Sequence, residues 1–176
     1  MKLFKNRIIY FLPVAFSLYA HADFTAQLNR VIDGDTLEVV RIKSDSILDA
    51  PETVRIRLTG IDAPESKQAY GQEAKTRLSE LVTNRSLRVK EQSKDRYGRT
   101  LAFVTACKVR YAKGTENCNQ VNYTMVSEGL AWAYRYHNRP SDRVAARLEA
   151  SAKVARIGLW ASDHPVEPWR WRKLHR

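Results

Sequence analysis

The sequence is poor in the residues that bind soft metals and that act as imidazole bases. It has two cysteines and four histidines among 176 residues. Cys107 and Cys118 have no histidine or second cysteine pair at ligand spacing, and the histidines lie away from the main acidic clusters. This argues against a zinc site. A general base must therefore be sought among the carboxylates.

Long hydrophobic runs are also missing, except near the start of the chain. Three basic residues precede an apolar run over residues 8–19, and the small residues Ala20 and Ala22 follow it. This pattern is typical of a cleaved signal peptide, so we expect residues 1–22 to be removed and the mature protein to begin at Asp23. The alternative is a membrane anchor, but Pro13 interrupts a run already too short to cross a bilayer of about 30 Å. We expect export to the periplasm or the extracellular space.

Acidic residues are outnumbered by basic ones. The chain has 30 Lys and Arg against 19 Asp and Glu, a formal net charge of +11. Loss of residues 1–22 would remove three basic residues (30 to 27) and leave +8. Such a charge attracts polyanions without distinguishing nucleic acid from anionic lipid. A membrane-active protein is disfavoured because no basic amphipathic helix has a sufficient apolar face, so we expect no stable membrane association after signal cleavage.

Internal repeats and low-complexity linkers are absent from the sequence. Residues 23–176 are enough for one core and not comfortably for two, so we predict a single domain and a monomer. From about residue 161 the chain becomes a basic tail rich in tryptophan. Its alternating aromatics and cations could stack on nucleic acid, but we favour a tail docked on the domain by its tryptophans.

From residue 27 to 105 the pattern is mostly that of strands. Val54, Ile56 and Leu58 alternate with Arg55 and Arg57. Because successive side chains of a strand point to opposite faces, the three aliphatic residues should be buried and the two arginines should face away from them.

Three helices interrupt or follow these strands. They are predicted at about residues 72–82, at 123–128, and from after Ser141 to Gly158. The last helix is expected to bury Val144, Leu148, Ala152 and Ala155. The predicted fold class is α+β, mainly β: a five-stranded, partly open Greek-key barrel of the oligonucleotide-binding (OB) type, packed by three helices.

Export would determine the redox state of the two cysteines. An oxidising compartment favours a disulfide, and only one intramolecular pairing of Cys107 and Cys118 is possible. Residues 113–115 form a predicted turn between them, so the bridge would join the arms of a β-hairpin. Two free thiols are the alternative.

Three separated clusters of acidic and basic residues stand out. Asp35, Asp62 and Glu65 offer hard carboxylate oxygens of the kind that coordinate Ca²⁺ or Mg²⁺. Arg57 and Arg99 offer planar guanidinium groups that fit two phosphate oxygens at once. Carboxylates gathered in one cleft would repel each other unless a divalent cation joined them. The combination indicates metal-assisted cleavage of phosphodiesters.

Four motifs in this order resemble the staphylococcal (micrococcal) nuclease family over about residues 32–160. They are Asp-Gly-Asp-Thr at 33–36, Arg-Leu-Thr-Gly-Ile-Asp-Ala-Pro-Glu at 57–65, Tyr-Gly-Gln-Glu-Ala at 70–74 and Asp-Arg-Tyr-Gly-Arg at 95–99. The resemblance implies a nuclease with an OB fold that cuts DNA, RNA or both with Ca²⁺ as cofactor. It also implies that Asp35 and Asp62 are Ca²⁺ ligands. Ala63, where the best-known members carry Thr, would bind through its backbone carbonyl.

The same resemblance implies roles for the other site residues. Glu65 would activate the attacking water, and Arg57 and Arg99 would hold the scissile phosphate and stabilise the transition state. The tyrosines expected to line the nucleotide pocket are Tyr97, Tyr134 and Tyr136. The chain departs from the family pattern by an extra polar loop at residues 41–53.

Two less specific interpretations remain open. The first is a noncatalytic OB module that binds single strands, although three acids in a phosphate groove would repel such a ligand. The second concerns Asp33, which on its own is more typical of a turn than of a metal site.

Overall fold

The computed structural model describes residues 23–42, 50–109 and 116–175. The expected signal segment, most of the expected 41–53 loop and the expected turn at 113–115 lie outside these residues. Strands in the described part are β1 (Phe24–Val31), β2 (Thr36–Arg41), β3 (Glu52–Leu58), β4 (Ile61–Asp62), β5 (Ser86–Lys94), β6 (Thr100–Val109), β7 (Glu116–Gln120), β8 (Trp132–Ala133), β9 (Arg135–Tyr136) and β10 (Arg139–Pro140). Helices are α1 (Gly71–Val82), α2 (Val121–Ser127), α3 (Arg143–Val154) and α4 (Pro168–Leu174), with a 3₁₀ turn at Gly158–Ala161.

Five strands close into a barrel. The sheet runs β3-β2-β1-β5-β6-β7, and a parallel pairing of β3 with β6 joins its two sides. The strands β1, β2, β3, β5 and β6 therefore form a ring of mixed direction, and β7 extends the sheet beyond it. The predicted OB barrel is confirmed.

The alternation of residues on β3 places aliphatic side chains in the barrel core and Arg57 in the groove. Ile56 and Leu58 are fully buried, Val54 is half-buried, and Arg55 is exposed, as expected. Burial of each large aliphatic side chain contributes on the order of 2 kcal/mol. Arg57 faces away from this core and lies in the groove described below.

Helix α1 packs the barrel with the predicted face, burying Ala74, Leu78, Leu81 and Val82. Helix α2 begins two residues earlier than expected because Gln120 caps it, its side chain accepting a hydrogen bond from the amide of Tyr123 at 2.8 Å. Within α2, Asn122 is completely buried. Its side-chain amide donates to the carbonyls of Thr59 (2.9 Å) and Ala102 (3.1 Å), which ties the helix to the barrel beside the site.

The predicted buried face of α3 was partly wrong. Ala152 is buried and Leu148 is half-buried, but Val144 and Ala155 are exposed. The helix instead buries Ala145, Glu149 and Ala152.

Charge pairing accounts for this rotation of α3. Glu149 can be buried because Arg135 lies 2.7 Å from its carboxylate and Lys153 lies 3.2 Å from it. Asp142 fixes the start of the helix by accepting a hydrogen bond from the amide of Ala145 at 2.7 Å. An apolar pattern alone does not reveal a paired, buried glutamate.

The number of helices was also underestimated, because the basic tail contains α4. Proline at the first position of α4 suits a helix start, since it needs no amide partner there. The tail docks through Trp169, whose ring lies edge-on to that of Trp132 with centroids 5.6 Å apart. The docked tail that we favoured is therefore observed, with a helical conformation that we did not predict.

Cys107 and Cys118 form a disulfide between directly paired positions of β6 and β7. The predicted bridge across a hairpin is confirmed. In the described part of the chain, the helices are too short or too polar to span a membrane.

Candidate active site in the barrel groove

A cleft of about 420 Å³ opens on one side of the barrel. It is bordered by acidic, basic and aromatic side chains from distant parts of the sequence. Those used below are Asp33, Asp35, Arg57, Glu65, Tyr97, Arg99, Tyr134 and Arg172. All three clusters singled out in the sequence therefore meet in one place.

Asp35 is held at the β1–β2 connection. Its backbone amide donates to Asp33 Oδ1 at 3.0 Å, and its own Oδ2 accepts a hydrogen bond from the amide of Ala63 at 2.8 Å. Gly34 allows this approach, because a Cβ at that position would lie 2.8 Å from the Cβ atoms of both Ala63 and Ala74. The glycine is needed for space rather than for an unusual backbone angle, and Asp33 has the structural role we expected.

Asp62 and Arg57 form the buried centre of the site. Asp62 belongs to β4, which pairs with β8, and its side chain is 1% exposed. Arg57 Nη2 lies 2.7 Å from Asp62 Oδ1 and 3.0 Å from Asp35 Oδ2. Arg57 Nη1 donates to the carbonyls of Leu58 and Ile61, both at 2.9 Å. One guanidinium thus orients both acids and the chain between β3 and β4.

Burial and like charge perturb these groups. Burial is the main cause that raises the pKa of Asp33 to about 6, and the neighbouring charge of Asp35 adds to it. Burial also raises the pKa of Asp62, although hydrogen bonds from Arg172 and the charge of Arg57 oppose the shift. For Arg57, burial acts to lower the pKa, but the charges of Asp35 and Asp62 outweigh it and raise the pKa. The shifts therefore reflect mainly how deeply these groups are buried, and the charges of their neighbours modify them.

Glu65 follows Asp62 on a loop that leads into α1. Its amide donates to Gln68 Oε1 at 3.1 Å, and its side chain is 40% exposed toward the cleft. Gly71 packs directly under this loop, where a Cβ would overlap the carbonyl oxygen of Glu65. The loop therefore has a fixed path, while the carboxylate at its end remains accessible.

The turn before β6 supplies Arg99 and Tyr97. Asp95 Oδ1 accepts hydrogen bonds from the amides of Tyr97 (2.9 Å) and Arg99 (3.0 Å), and Asp95 Oδ2 lies 2.7 Å from Arg99 Nε. The guanidinium of Arg99 also lies over the Tyr97 ring, 5.6 Å from its centroid. Arg99 and Arg57 thus reach the cleft from different elements.

Only one of the two later tyrosines is brought to this cleft. Tyr134 borders it and is held by a hydrogen bond from its amide to the carbonyl of Gly60 at 2.9 Å. Tyr136 is not among the residues that border the cleft; it is 66% exposed and its ring contacts that of His137.

Arg172 of α4 is a site residue that sequence reasoning missed. Its Nη1 lies 2.7 Å from Glu65 Oε1, and its Nη2 lies 2.8 Å from Asp62 Oδ2. These contacts span more than 100 residues of sequence. One signal was available: Arg172 follows Trp169 by three residues, so a helical tail docked by that tryptophan presents both side chains to the barrel.

The donor set suits a hard divalent cation. One oxygen of Asp35 and one of Asp62 lie within hydrogen-bond distance of the same nitrogen of Arg57. The positively charged guanidinium of Arg172 lies 2.8 Å from the other oxygen of Asp62, Oδ2, and acts there as a stand-in cation. A group of three or more His, Cys, Asp or Glu ligands is not found within the described ranges. Two carboxylates would need the carbonyl of Ala63 and further oxygens from water or substrate to complete such a site.

The groove of this closed OB barrel holds carboxylates and arginines, a set of side chains that suits a cation and a phosphodiester. Residues 55–162 match the family model described as Staphylococcal nuclease homologue. The chain is 41% identical over 160 residues to a micrococcal nuclease of Shigella flexneri, covering 91% of this chain and 87% of that protein. It is also 38% identical over 152 residues to an uncharacterized endonuclease of Haemophilus influenzae, covering 86% of this chain and 75% of the relative.

A plant relative shows the same likeness within a longer protein. The chain is 35% identical over 158 residues to staphylococcal-like nuclease CAN1 of Arabidopsis thaliana, covering 90% of this chain and 44% of that protein. The chain belongs to the staphylococcal nuclease family, whose members are metal-dependent nucleases. It is a nuclease that acts on nucleic acid, and the noncatalytic alternative is set aside.

Proposed function

We propose that this nuclease is an exported, Ca²⁺-dependent enzyme that hydrolyses phosphodiester bonds of DNA, RNA or both. The observation that carries the proposal is the convergence of Asp35 and Asp62 on Arg57 beside the exposed carboxylate of Glu65. This arrangement combines a cation site, a general base and an arginine that can donate hydrogen bonds to phosphate in one cleft.

The metal would be held by Asp35, Asp62 and the carbonyl of Ala63. All of these are oxygen ligands, with no imidazole or thiolate, which favours Ca²⁺ or Mg²⁺ over zinc or copper. When bound, the ion would supply positive charge to the phosphate oxygens.

Glu65 is the proposed general base. It is the carboxylate of the cleft that remains accessible, and its loop is fixed by Gln68 and Gly71. It would accept the proton of the attacking water once its contact with Arg172 is broken.

Arg57 and Arg99 are the proposed transition-state donors. A phosphodiester gains negative charge on its nonbridging oxygens as the water attacks, and guanidinium groups already held in place stabilise that charge without reorganisation. Arg57 is held by two carbonyls, and Arg99 is held by Asp95. Tyr97 and Tyr134 would contact the nucleotide from the border of the same cleft.

Export is supported by two independent features. The first 22 residues have the composition of a cleaved signal, and the two cysteines are bridged, as is typical of oxidising compartments. Amino-terminal sequencing of the secreted or periplasmic protein tests this part, with Asp23 as the expected first residue.

The decisive experiment is cleavage of labelled DNA and RNA by purified protein in Ca²⁺, in Mg²⁺ and in excess chelator. We expect activity with Ca²⁺ and none with chelator, and Asp35→Ala and Asp62→Ala should lower both Ca²⁺ affinity and turnover. Full activity in chelator would rule out the metal mechanism.

A further inference from the structure

The Arg172 guanidinium makes its contacts in the place expected to receive the metal and the catalytic water. It lies 2.8 Å from Asp62 Oδ2, 3.2 Å from Asp62 Oδ1 and 2.7 Å from Glu65 Oε1. Asp62 is thereby held by two arginines at once. The proposed base is held by one of the same two arginines.

The first turn of α4 packs against the domain. Pro168 is buried, the ring of Trp169 packs on Trp132, and the guanidinium of Arg135 lies over Trp169 at 5.7 Å. Farther along, Leu174 is 75% exposed. The helix is thus fixed near its start and presents Arg172 on a side chain that is itself 40% exposed.

A second link connects this tail to the loop that carries the base. Gln68 accepts a hydrogen bond from the amide of Glu65 and donates to the carbonyl of Val166 at 2.5 Å, just before α4. The same side chain therefore positions both the Glu65 loop and the segment that delivers Arg172. The contact of Arg172 with Glu65 is built into the fold.

We propose that Arg172 is a tethered competitor of the divalent metal: it occupies Asp62 and Glu65 when the metal is absent and must leave both before the nuclease is active. This inference rests on the proposed Ca²⁺ site. A carboxylate oxygen pair engaged by a bidentate guanidinium cannot also coordinate a cation at full strength, and a base that accepts an arginine hydrogen bond is a poorer proton acceptor.

The competition has a thermodynamic consequence. If Arg172 binds the site only when the metal is absent, the metal must displace it. The apparent metal affinity is then lowered by the factor by which the metal-free site favours bound over released Arg172. Coupling of two ligands within one protein commonly amounts to about 5-fold to 150-fold. Since Arg172 is partly exposed, we expect the lower part of this range, about tenfold.

The test is Ca²⁺ affinity by titration calorimetry of the exported protein and of its Arg172→Gln variant, at about 0.15 M salt so that distant charges are screened. We expect Arg172→Gln to bind Ca²⁺ about tenfold more tightly. The Ca²⁺ concentration for half-maximal cleavage should fall by the same factor.

The matched control is Arg170→Gln, which removes the same charge from the same helix. Arg170 contacts Glu167 at 3.3 Å and has no contact with Asp62 or Glu65. Its Ca²⁺ affinity should equal that of the unaltered protein. A second variant, Arg172→Ala, should behave like Arg172→Gln, and circular dichroism verifies that each variant is folded.

The outcomes separate this inference from the proposed function. If Asp62→Ala loses Ca²⁺ binding but Arg172→Gln binds no more tightly than the unaltered protein, the metal site stands and the competition is refuted. A raised KM for nucleic acid with unchanged Ca²⁺ affinity would identify Arg172 as a substrate contact and also refute it. If no form of the protein binds Ca²⁺, both proposals fall.

Discussion

Arg57 donates a 2.7 Å hydrogen bond to Asp62, five residues later in the same motif. Because the same arginine also donates to the backbone carbonyls of Leu58 and Ile61, it shapes the chain that carries its own partner. The residue thus combines a structural role with the proposed role in the reaction.

Lysine should therefore replace either arginine poorly. We expect Arg57→Lys and Arg99→Lys each to reduce kcat by about 10²-fold or more, with a smaller change in KM. An ammonium group keeps the charge, but it cannot donate the two parallel hydrogen bonds of a planar guanidinium. Steady-state kinetics at two salt concentrations measures this.

A neighbouring arginine outside the cleft provides the control. Arg55→Lys changes the exposed arginine two positions away from Arg57 on β3. This control should retain kcat. Near-normal kcat in Arg57→Lys and Arg99→Lys would mean that these arginines only add to a basic surface.

Replacement of Glu65 separates the base from the metal ligands. Glu65→Gln should keep most of the Ca²⁺ affinity and lose about 10²-fold to 10⁴-fold in kcat, because the amide cannot accept the proton of water. Calorimetry and single-turnover cleavage measure the two effects, with Glu73→Gln, in the first turn of α1, as the control. Turnover equal to that of the unaltered protein would exclude Glu65 as the base.

The disulfide should support stability without taking part in the reaction. Cys107 and Cys118 lie on β6 and β7, outside the residues that border the cleft. A bridge that closes so short a loop should contribute at most about 3 kcal/mol. We expect Cys107→Ala/Cys118→Ala to lower the melting temperature and to retain kcat.

Mass spectrometry of unreduced, alkylated protein provides the companion measurement. The native protein should carry no alkyl groups, and reduction should add two. Alkylation of both cysteines without reduction would contradict the bridge.

Acid should weaken the turn that holds Arg99. Burial acts to raise the pKa of Asp95, but the hydrogen bonds from the side chain and amide of Arg99 and from the amide of Tyr97 together lower it below 3.8. A depressed carboxyl pKa adds stability that is fully present above the unfolded-state pKa and is lost as pH falls through the folded-state value. The contribution of Asp95 should therefore persist above about pH 4 and decline below it.

Urea unfolding of Asp95→Asn between pH 3 and pH 7 tests this dependence. The variant should be less stable than the unaltered protein at neutral pH, and the difference should shrink below about pH 4. It should also lose part of kcat, since Arg99 loses its anchor. The exposed Asp163→Asn serves as control; a difference that stays constant with pH would contradict the assignment.

From the sequence alone we could predict the OB barrel, favour the bridge between Cys107 and Cys118, and identify the acidic and arginine residues of the three motifs. These depend on short-range information: alternation on β3, the spacing of apolar residues in α1, and motifs whose residues are nearly contiguous. The buried face of α3 and the contact of Arg172 with Asp62 became evident from the three-dimensional structure. Both depend on charged side chains that pair between different elements. Glu149 of α3 pairs with Arg135, 14 residues away, and Asp62 pairs with Arg172, 110 residues away. A hydrophobic pattern does not reveal such pairs. The position of Tyr136 outside the cleft also required the structure: it lies on β9, which pairs with β10, and its side chain is exposed.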